Sequence, residues 1–397
     1  MTVNPDHNNP SGSTDLAWRR PSWLFTRLFD RLNDMGATYC VMNNYEDMPG
    51  VIPTDVDIAI DPVSFAGLDD FLSEFAAANG GSIAQKLWHG HRKCAFVICV
   101  GDPRARAYLH LDFFVDASTN GFPLVIPNAD LVAGRLKLHN FYIPRPEIEL
   151  VFIVGRRLYK GDWTTGHCAR IAALYKRIDG SDWLAARYRW MRDIIALALA
   201  GDASALRARQ PGDYRSLRRL AWKSAGAGGR WRYRIGQLRR SLFRLRFETG
   251  TAVVVISRDG LGEALTQELK IEMAPMFFRT VFHSAPPRSA AAVLRDLLHL
   301  KILKSSKAGI VYDLSEGDVD LAYHCARLAR LGLIDGICAV QGVSVPTRLR
   351  HCGAHDVSDI VDVAEMMLAV QTTKTQRALG HAGSQTAAGG KPRAGNA

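Results

Sequence analysis

The apolar positions along the chain alternate between two periods. Trp23, Phe25, Leu28, Phe29 and Leu32 recur at helical spacing, with Ser22 placed to cap the helix and Gly36 to end it. Tyr39 to Asp61, YCVMNNYEDMPGVIPTDVDIAID, then reads as two short apolar strands joined by a polar loop. A second amphipathic helix is predicted over Phe65 to Ala78, with Phe65, Leu68, Phe71, Leu72 and Phe75 on one side. Strand-like runs follow at Ile83 to Leu87, Cys94 to Val100 and Tyr108 to Val115. Pro144 to Trp163 is an apolar helical run ending in Arg156, Arg157 and Lys160, and residues 164 to 200 read as further helices with Ile171, Leu174, Trp183, Leu184, Trp190 and Ile194 as core candidates. Later, Ala252 to Ile256 reads as a buried strand that leads through a Gly-containing turn into a helix. The pattern predicts an α/β chain whose first half is a mixed sheet flanked by helices.

Within that pattern two acids stand out. On a strand, Asp55 and Asp57 share one face while Val56, Ile58 and Ile60 fill the other. Carboxylates so placed repel unless a cation lies between them, and Mg²⁺ held by one or two carboxylates plus substrate phosphates is the usual arrangement. Asp112 is a third candidate, on a strand where His110, Asp112 and Phe114 share one face and Leu109, Leu111 and Phe113 the other. An acid in so apolar a strand costs several kcal/mol to bury unpaired. It calls for a metal, a basic partner or an exposed edge.

Charge is concentrated in one place. Of a net +11, the stretch Arg207 to Arg246 carries thirteen basic residues against the lone Asp213, a local +12, so the rest sums to about −1. Inside it Trp231, Ile235, Leu238, Leu242 and Leu245 fall four, three, four and three apart, an apolar stripe on an Arg-rich helix. Such a helix suits either an anionic lipid surface or packing against the rest of the chain. No nucleic-acid recognition motif accompanies it. The Gly-rich SAGAGG at 224–229 marks the segment as an interdomain linker. His89 and His91 precede Arg92 and Lys93, which favours a basic cluster beside a phosphate site over a metal set. Seven scattered cysteines without a C-x-x-C pair point to a reduced compartment, and the polar first 20 residues to a cytoplasmic protein.

Two resemblances organise the function. Asn44-Tyr45-Glu46-Asp47-Met48-Pro49, Asp55-Val56-Asp57 and the later Asp112 resemble the DNA polymerase beta-type nucleotidyltransferase superfamily. They are closest to its bacterial subgroup linked to surface polysaccharide biosynthesis. The resemblance implies Asp55, Asp57 and Asp112 as catalytic Mg²⁺ ligands, with Asn44, Thr54 and Lys160 near the nucleotide. The chain departs from it at Asn43, where Arg is usual, and at Pro53-Thr54, where Gly-Ser is usual.

The second resemblance is to a thymidylate-kinase-like P-loop at Ser257 to Ala264, with Gly309 to Asp313 like a later strand of that fold and Arg348 to Gly353 like its lid. Asp259-Gly260-Leu261-Gly262 is retained, but the first Gly is Ser257, the Lys is Glu263 and the Mg²⁺-binding Ser is Ala264. Composition marks 1–17 as disordered and 201–249 as a basic helical linker, and the first resemblance implies a nucleotidyltransferase-like α+β domain with helical extension over 18–200. A degenerate P-loop kinase-like α/β domain would follow over 250–371, then a disordered tail over 372–397. Three functions follow as alternatives. One is transfer of a nucleotidyl group from an NTP to a hydroxyl of a small molecule or glycan precursor. The others are a non-catalytic scaffold at a membrane polysaccharide assembly, and a nucleotide or small-molecule kinase.

Overall fold

The computed structural model describes residues 22–90, 92–102, 106–118, 124–178, 186–277, 279–285, 289–340, 342–350 and 354–389. The expectations for the first 17 residues, for His91, Trp183 and Leu184, and for the side chains of Leu245, Arg348 and Arg350, lie outside this set. The chain is mixed α/β with two five-stranded sheets, one mixed and one parallel.

The first sheet has strands β1 (Tyr39–Val41), β2 (Val56–Ile60), β3 (Gly81–Gly90), β4 (Lys93–Val100) and β5 (Ala107–Phe114) in the order β1-β2-β5-β4-β3. β2 and β5 run parallel, and the other neighbours are antiparallel. Alternation works as expected. Val56, Ile58, Ile60, Leu109, Leu111 and Phe113 enter one core with α1 (Ser22–Asp34) and α2 (Leu68–Ala78). Two local expectations shift. Trp23 is exposed, with the Arg27 guanidinium 5.2 Å from its ring centroid, and the buried position beside it is Leu24. The helix expected over Phe65 to Ala78 breaks at Gly67, leaving one short turn at Pro62–Ala66 capped by Asp61.

The other face of this sheet is covered from two sides. Ala59 and Phe114 join the core of α3 (Pro146–Lys160), α4 (Thr165–Lys176) and α5 (Arg192–Leu199). Ala84, Val97 and Cys99 pack instead on the second half of the chain. That half is a parallel sheet of β6 (Thr251–Ser257), β7 (Arg279–His283), β8 (Ala308–Ser315), β9 (Gly336–Val340) and β10 (Ala354–Val357), ordered β7-β8-β6-β9-β10. β6 is buried throughout, as its unbroken apolar run requires.

The basic segment is a structural part of the molecule. It forms α6 (Ala203–Ser224) and α7 (Gly226–Arg246), so the Gly-rich stretch expected to be a break is helical except at Ala225. α6 sends Leu206 and Leu217 into the helical core, and Arg207 donates to the Trp163 carbonyl at 2.8 Å. α7 lies along β3, with Phe243 stacked on Trp88 at 5.0 Å. The polar tail expected over 372–397 is helical through Gly389, as part of α9 (Ile360–Gly389), and its last eight residues lie outside the described set. Its polarity serves packing: Thr375 donates to the Ala84 carbonyl at 3.1 Å, and Gln371 accepts from Thr251 at 3.0 Å.

A charged network fastens the junction. Glu248 accepts from Lys301 and, at 2.8 Å, from the fully buried Lys304; Lys304 and Lys374 also reach Asp335 at 3.1 and 2.7 Å. Burial pushes the Glu248 carboxyl up, but Lys301 and Lys304 outweigh it and hold it at about 2, against an ordinary 4.5. A depressed acid stabilises fully above its unfolded value and loses that contribution as pH falls through the folded one. Glu248→Gln is therefore expected to cost about 3 kcal/mol at pH 7. Urea melts of the variant should vary less than wild type between pH 4.5 and 2.

Candidate functional site

Asp112 sits on β5, the central strand of the first sheet, opposite Asp57 of β2 in register. No exposed edge accounts for it. Asp55 lies in the bend just before β2, not on the strand as the alternation predicted, and the turn brings it round to the same side. One carboxylate oxygen from each of Asp55, Asp57 and Asp112 lies within 4.8 Å of the others, a spacing that suits a shared cation. Along this face of β5 the side chains run Tyr108, His110, Asp112 and Phe114. Tyr108 packs on the second half and Phe114 on the helical core, stacked on Phe152 at 5.7 Å. The acids therefore lie at the seam between two covering bodies.

Cations line the seam. Arg156, from the last turns of α3, donates to Asp57 Oδ2, and Asn43 Nδ2 donates to the same oxygen at 2.9 Å. Burial lowers the Arg156 guanidinium, and Asp57, Asp55 and Asp112 more than restore it. Lys93 Nζ lies 3.8 Å from Asp112 Oδ2, while His110 and His89 lie 3.5 and 4.0 Å from Asp112 Oδ1. Burial raises the Asp112 carboxyl, but these three neighbours win and hold it far below the usual range, so it is ionised. His89 is pushed down to about 4 by burial, against the pull of Asp112, and is neutral at pH 7. Asp112 Oδ1 is buried, and its polar neighbours are the two imidazoles, at 3.5 and 4.0 Å. A pocket of about 230 Å³ opens here, lined among others by Asp57, Asp112, His89, Lys93, Arg156 and Lys160.

The remaining predicted residues divide. Lys160 lines the pocket, its ammonium lowered by burial and then by Arg156 and Arg157. Thr54 Oγ1 donates to Asp55 at 3.3 Å. Asn44, in the left-handed region at φ 54°, accepts from Arg170 at 3.1 Å, so its side chain is turned to α4. Arg170 also binds Glu46 and the buried Glu149, and Tyr45 donates to Glu149. The Asn-Tyr-Glu motif is thereby an anchor that sets the entry to β2. Sequence reasoning missed Glu149, although an acid inside the apolar run of α3 was the signal. It also missed Tyr233 and Gln237, which line the pocket from α7 and carry no sequence mark of it.

In the second half, the turn after β6 takes Gly260 and Gly262 to φ 86° and 67° before α8 (Gly262–Met273) begins. The Leu261 N–H donates to Asp313 Oδ1 at 3.0 Å, so a carboxylate from the end of β8 already occupies that donor.

Comparison of the chain with protein-family models, curated proteins and solved structures returns no match.

Proposed function

We propose that the chain is a nucleotidyltransferase-type protein that moves a nucleotidyl group from an NTP to a hydroxyl of a small molecule or glycan precursor. The observation that carries this reading is the convergence of Asp55, Asp57 and Asp112 on one sheet face within 4.8 Å. Three carboxylate oxygens, all hard donors, fit a hard divalent cation, with Mg²⁺ the expected one. When bound, such a cation supplies Lewis-acid polarisation of phosphoryl oxygens. Asp55, Asp57 and Asp112 would hold it. Lys160, Lys93 and Arg156 are placed to bind phosphate oxygens, Arg156 as a planar fork. Asp112, on the central strand, would share the cation and help take the proton of the acceptor hydroxyl.

A specific feature favours a second reading, a non-catalytic scaffold. Arg156 and Asn43 each donate to Asp57 Oδ2, and the Arg156 guanidinium supplies in protein form the positive charge that a metal would bring. Equilibrium titration of labelled ATP and GTP with Mg²⁺ separates the two. Under the enzyme reading wild type binds, Asp55→Ala does not, and Arg156→Gln binds free Mn²⁺ roughly tenfold tighter but nucleotide more weakly, since a competing charge worth about 1.4 kcal/mol is gone. Wild type that binds neither nucleotide nor Mn²⁺ makes the chain a scaffold. The kinase alternative is weakened by Glu263 and by Asp313 of β8, which accepts from the turn after β6.

A further inference from the structure

The outer face of α7 is apolar and open. Trp231, Leu238 and Leu242 are 64, 60 and 57 % exposed. Spaced seven and four apart, they fall within about 40° of one another around the helix and span roughly 16 Å of its length. Arg232, Arg234, Arg239 and Arg246 are exposed on either side of that line. The helix holds seven arginines and no acid. Its inner face is committed elsewhere, with Tyr233 buried, Phe243 on Trp88, and Arg240 donating to the His89 carbonyl at 2.9 Å. The stripe therefore belongs to the surface of the folded chain. It is not a core face left over from packing.

We infer that this face docks on an anionic lipid surface. Charge complementarity selects the partner, because arginines flanking the stripe reach headgroup phosphates while Trp and Leu enter the acyl boundary. Nucleic acid would satisfy the arginines but leave Trp231, Leu238 and Leu242 in water. Docking also has a consequence for the acidic site. Tyr233 and Gln237, on the inner face of the same helix, wall the pocket of Asp57 and Asp112. A docked chain holds that pocket about one helix diameter, roughly 10 Å, from the headgroups. On the reading proposed above, the acceptor hydroxyl is then one carried on a lipid-linked or surface-held molecule.

The test uses the full chain with phosphatidylcholine vesicles containing about 30 % phosphatidylglycerol, against pure phosphatidylcholine, at low and high salt. Wild type should sediment with the anionic vesicles only, release at high salt, and show quenching of Trp231 by brominated acyl chains that Trp231→Phe lacks. Replacing Arg232, Arg239 and Arg246 by Gln should weaken binding on the order of a hundredfold, at about fivefold for each arginine. Leu238→Ala with Leu242→Ala should weaken it too, with an unchanged melting temperature because both side chains are already exposed. Failure to sediment, equal binding to neutral vesicles, or an unaffected leucine variant overturns the inference. So does tighter binding to a DNA duplex than to anionic vesicles at the same salt. None of these readouts involves nucleotide, so the docking surface and the nucleotidyl reading fail separately.

Discussion

Alanine at Asp57 is expected to remove metal-dependent nucleotide binding and to lower the melting temperature by roughly 5 °C. Both effects come from one oxygen. Asp57 Oδ2 accepts from Arg156 and Asn43, and the Asp57 side chain is 5 % exposed while that of Arg156 is 25 %. Removing one partner of a largely buried ion pair costs about 3–5 kcal/mol, because the other charge is left under-compensated. For a chain of 397 residues, at about 2.1 cal/mol/K of unfolding entropy per residue, each kcal/mol moves the melting temperature by a little over 1 °C. The loss of nucleotide affinity should exceed about a hundredfold, the upper end of what disturbing a ligand's supporting contacts costs. Asp57→Ala combined with Arg156→Met tells the effects apart. It should recover most of the stability, as apolar replacements of buried pairs do, and none of the nucleotide binding. Asp55→Ala, at the more open bend, should lose nucleotide with little change in melting. Nucleotide affinity unchanged in Asp57→Ala would remove the nucleotidyltransferase reading.

Much of this arrangement was legible in the sequence because β-strand alternation is strict. Once Val56, Ile58 and Ile60 are assigned to a core, Asp57 must face the other way, and the same holds for Asp112 between Leu111 and Phe113. Register is a different matter. That β2 and β5 are neighbours with Asp57 opposite Asp112 depends on a parallel pairing across fifty-five residues of chain, and no local propensity encodes it. The basic helices were legible as helices but not as parts of the fold. Composition made 201–249 a linker, whereas Leu206, Leu217, Tyr233 and Phe243 are packing residues dispersed among arginines. The same reasoning made 372–397 a disordered tail. A helix that docks through Gln371, Thr375 and Lys374 looks polar because its partners are backbone carbonyls, a threonine and a carboxylate.

The turn after β6 gives the sharpest test of a lost site. Wild type is expected not to bind Mg·ATP there, and Glu263→Lys with Ala264→Ser is expected not to create affinity by itself. Charge at the first position is a large effect, since a cation about 4 Å from a phosphate oxygen attracts it by roughly 4 kcal/mol at an effective dielectric of 20, and an anion repels it by as much. Reversing Glu263 is thus worth up to about 8 kcal/mol in sign-changed interaction. Yet Asp313 stands in the way. Its Oδ1 takes the Leu261 N–H at 3.0 Å, and its Oδ2 lies 3.5 Å from the point where a Cβ on Gly260 would be. A phosphate brought to the loop would have to displace that carboxylate and share space with its charge. Burial raises the Asp313 carboxyl and the Leu261 hydrogen bond pulls it back, so repulsion should ease as the pH is lowered. Adding Asp313→Asn to the double substitution removes the charge and frees the N–H. Titration calorimetry with Mg·ATP should then register binding in the triple variant alone, about tenfold or more above the double variant. If the double variant binds as tightly as the triple one, Asp313 is no obstacle. Micromolar binding by wild type at this turn, surviving Asp55→Ala, would show that another basic group compensates for Glu263, with Arg258 the first to replace.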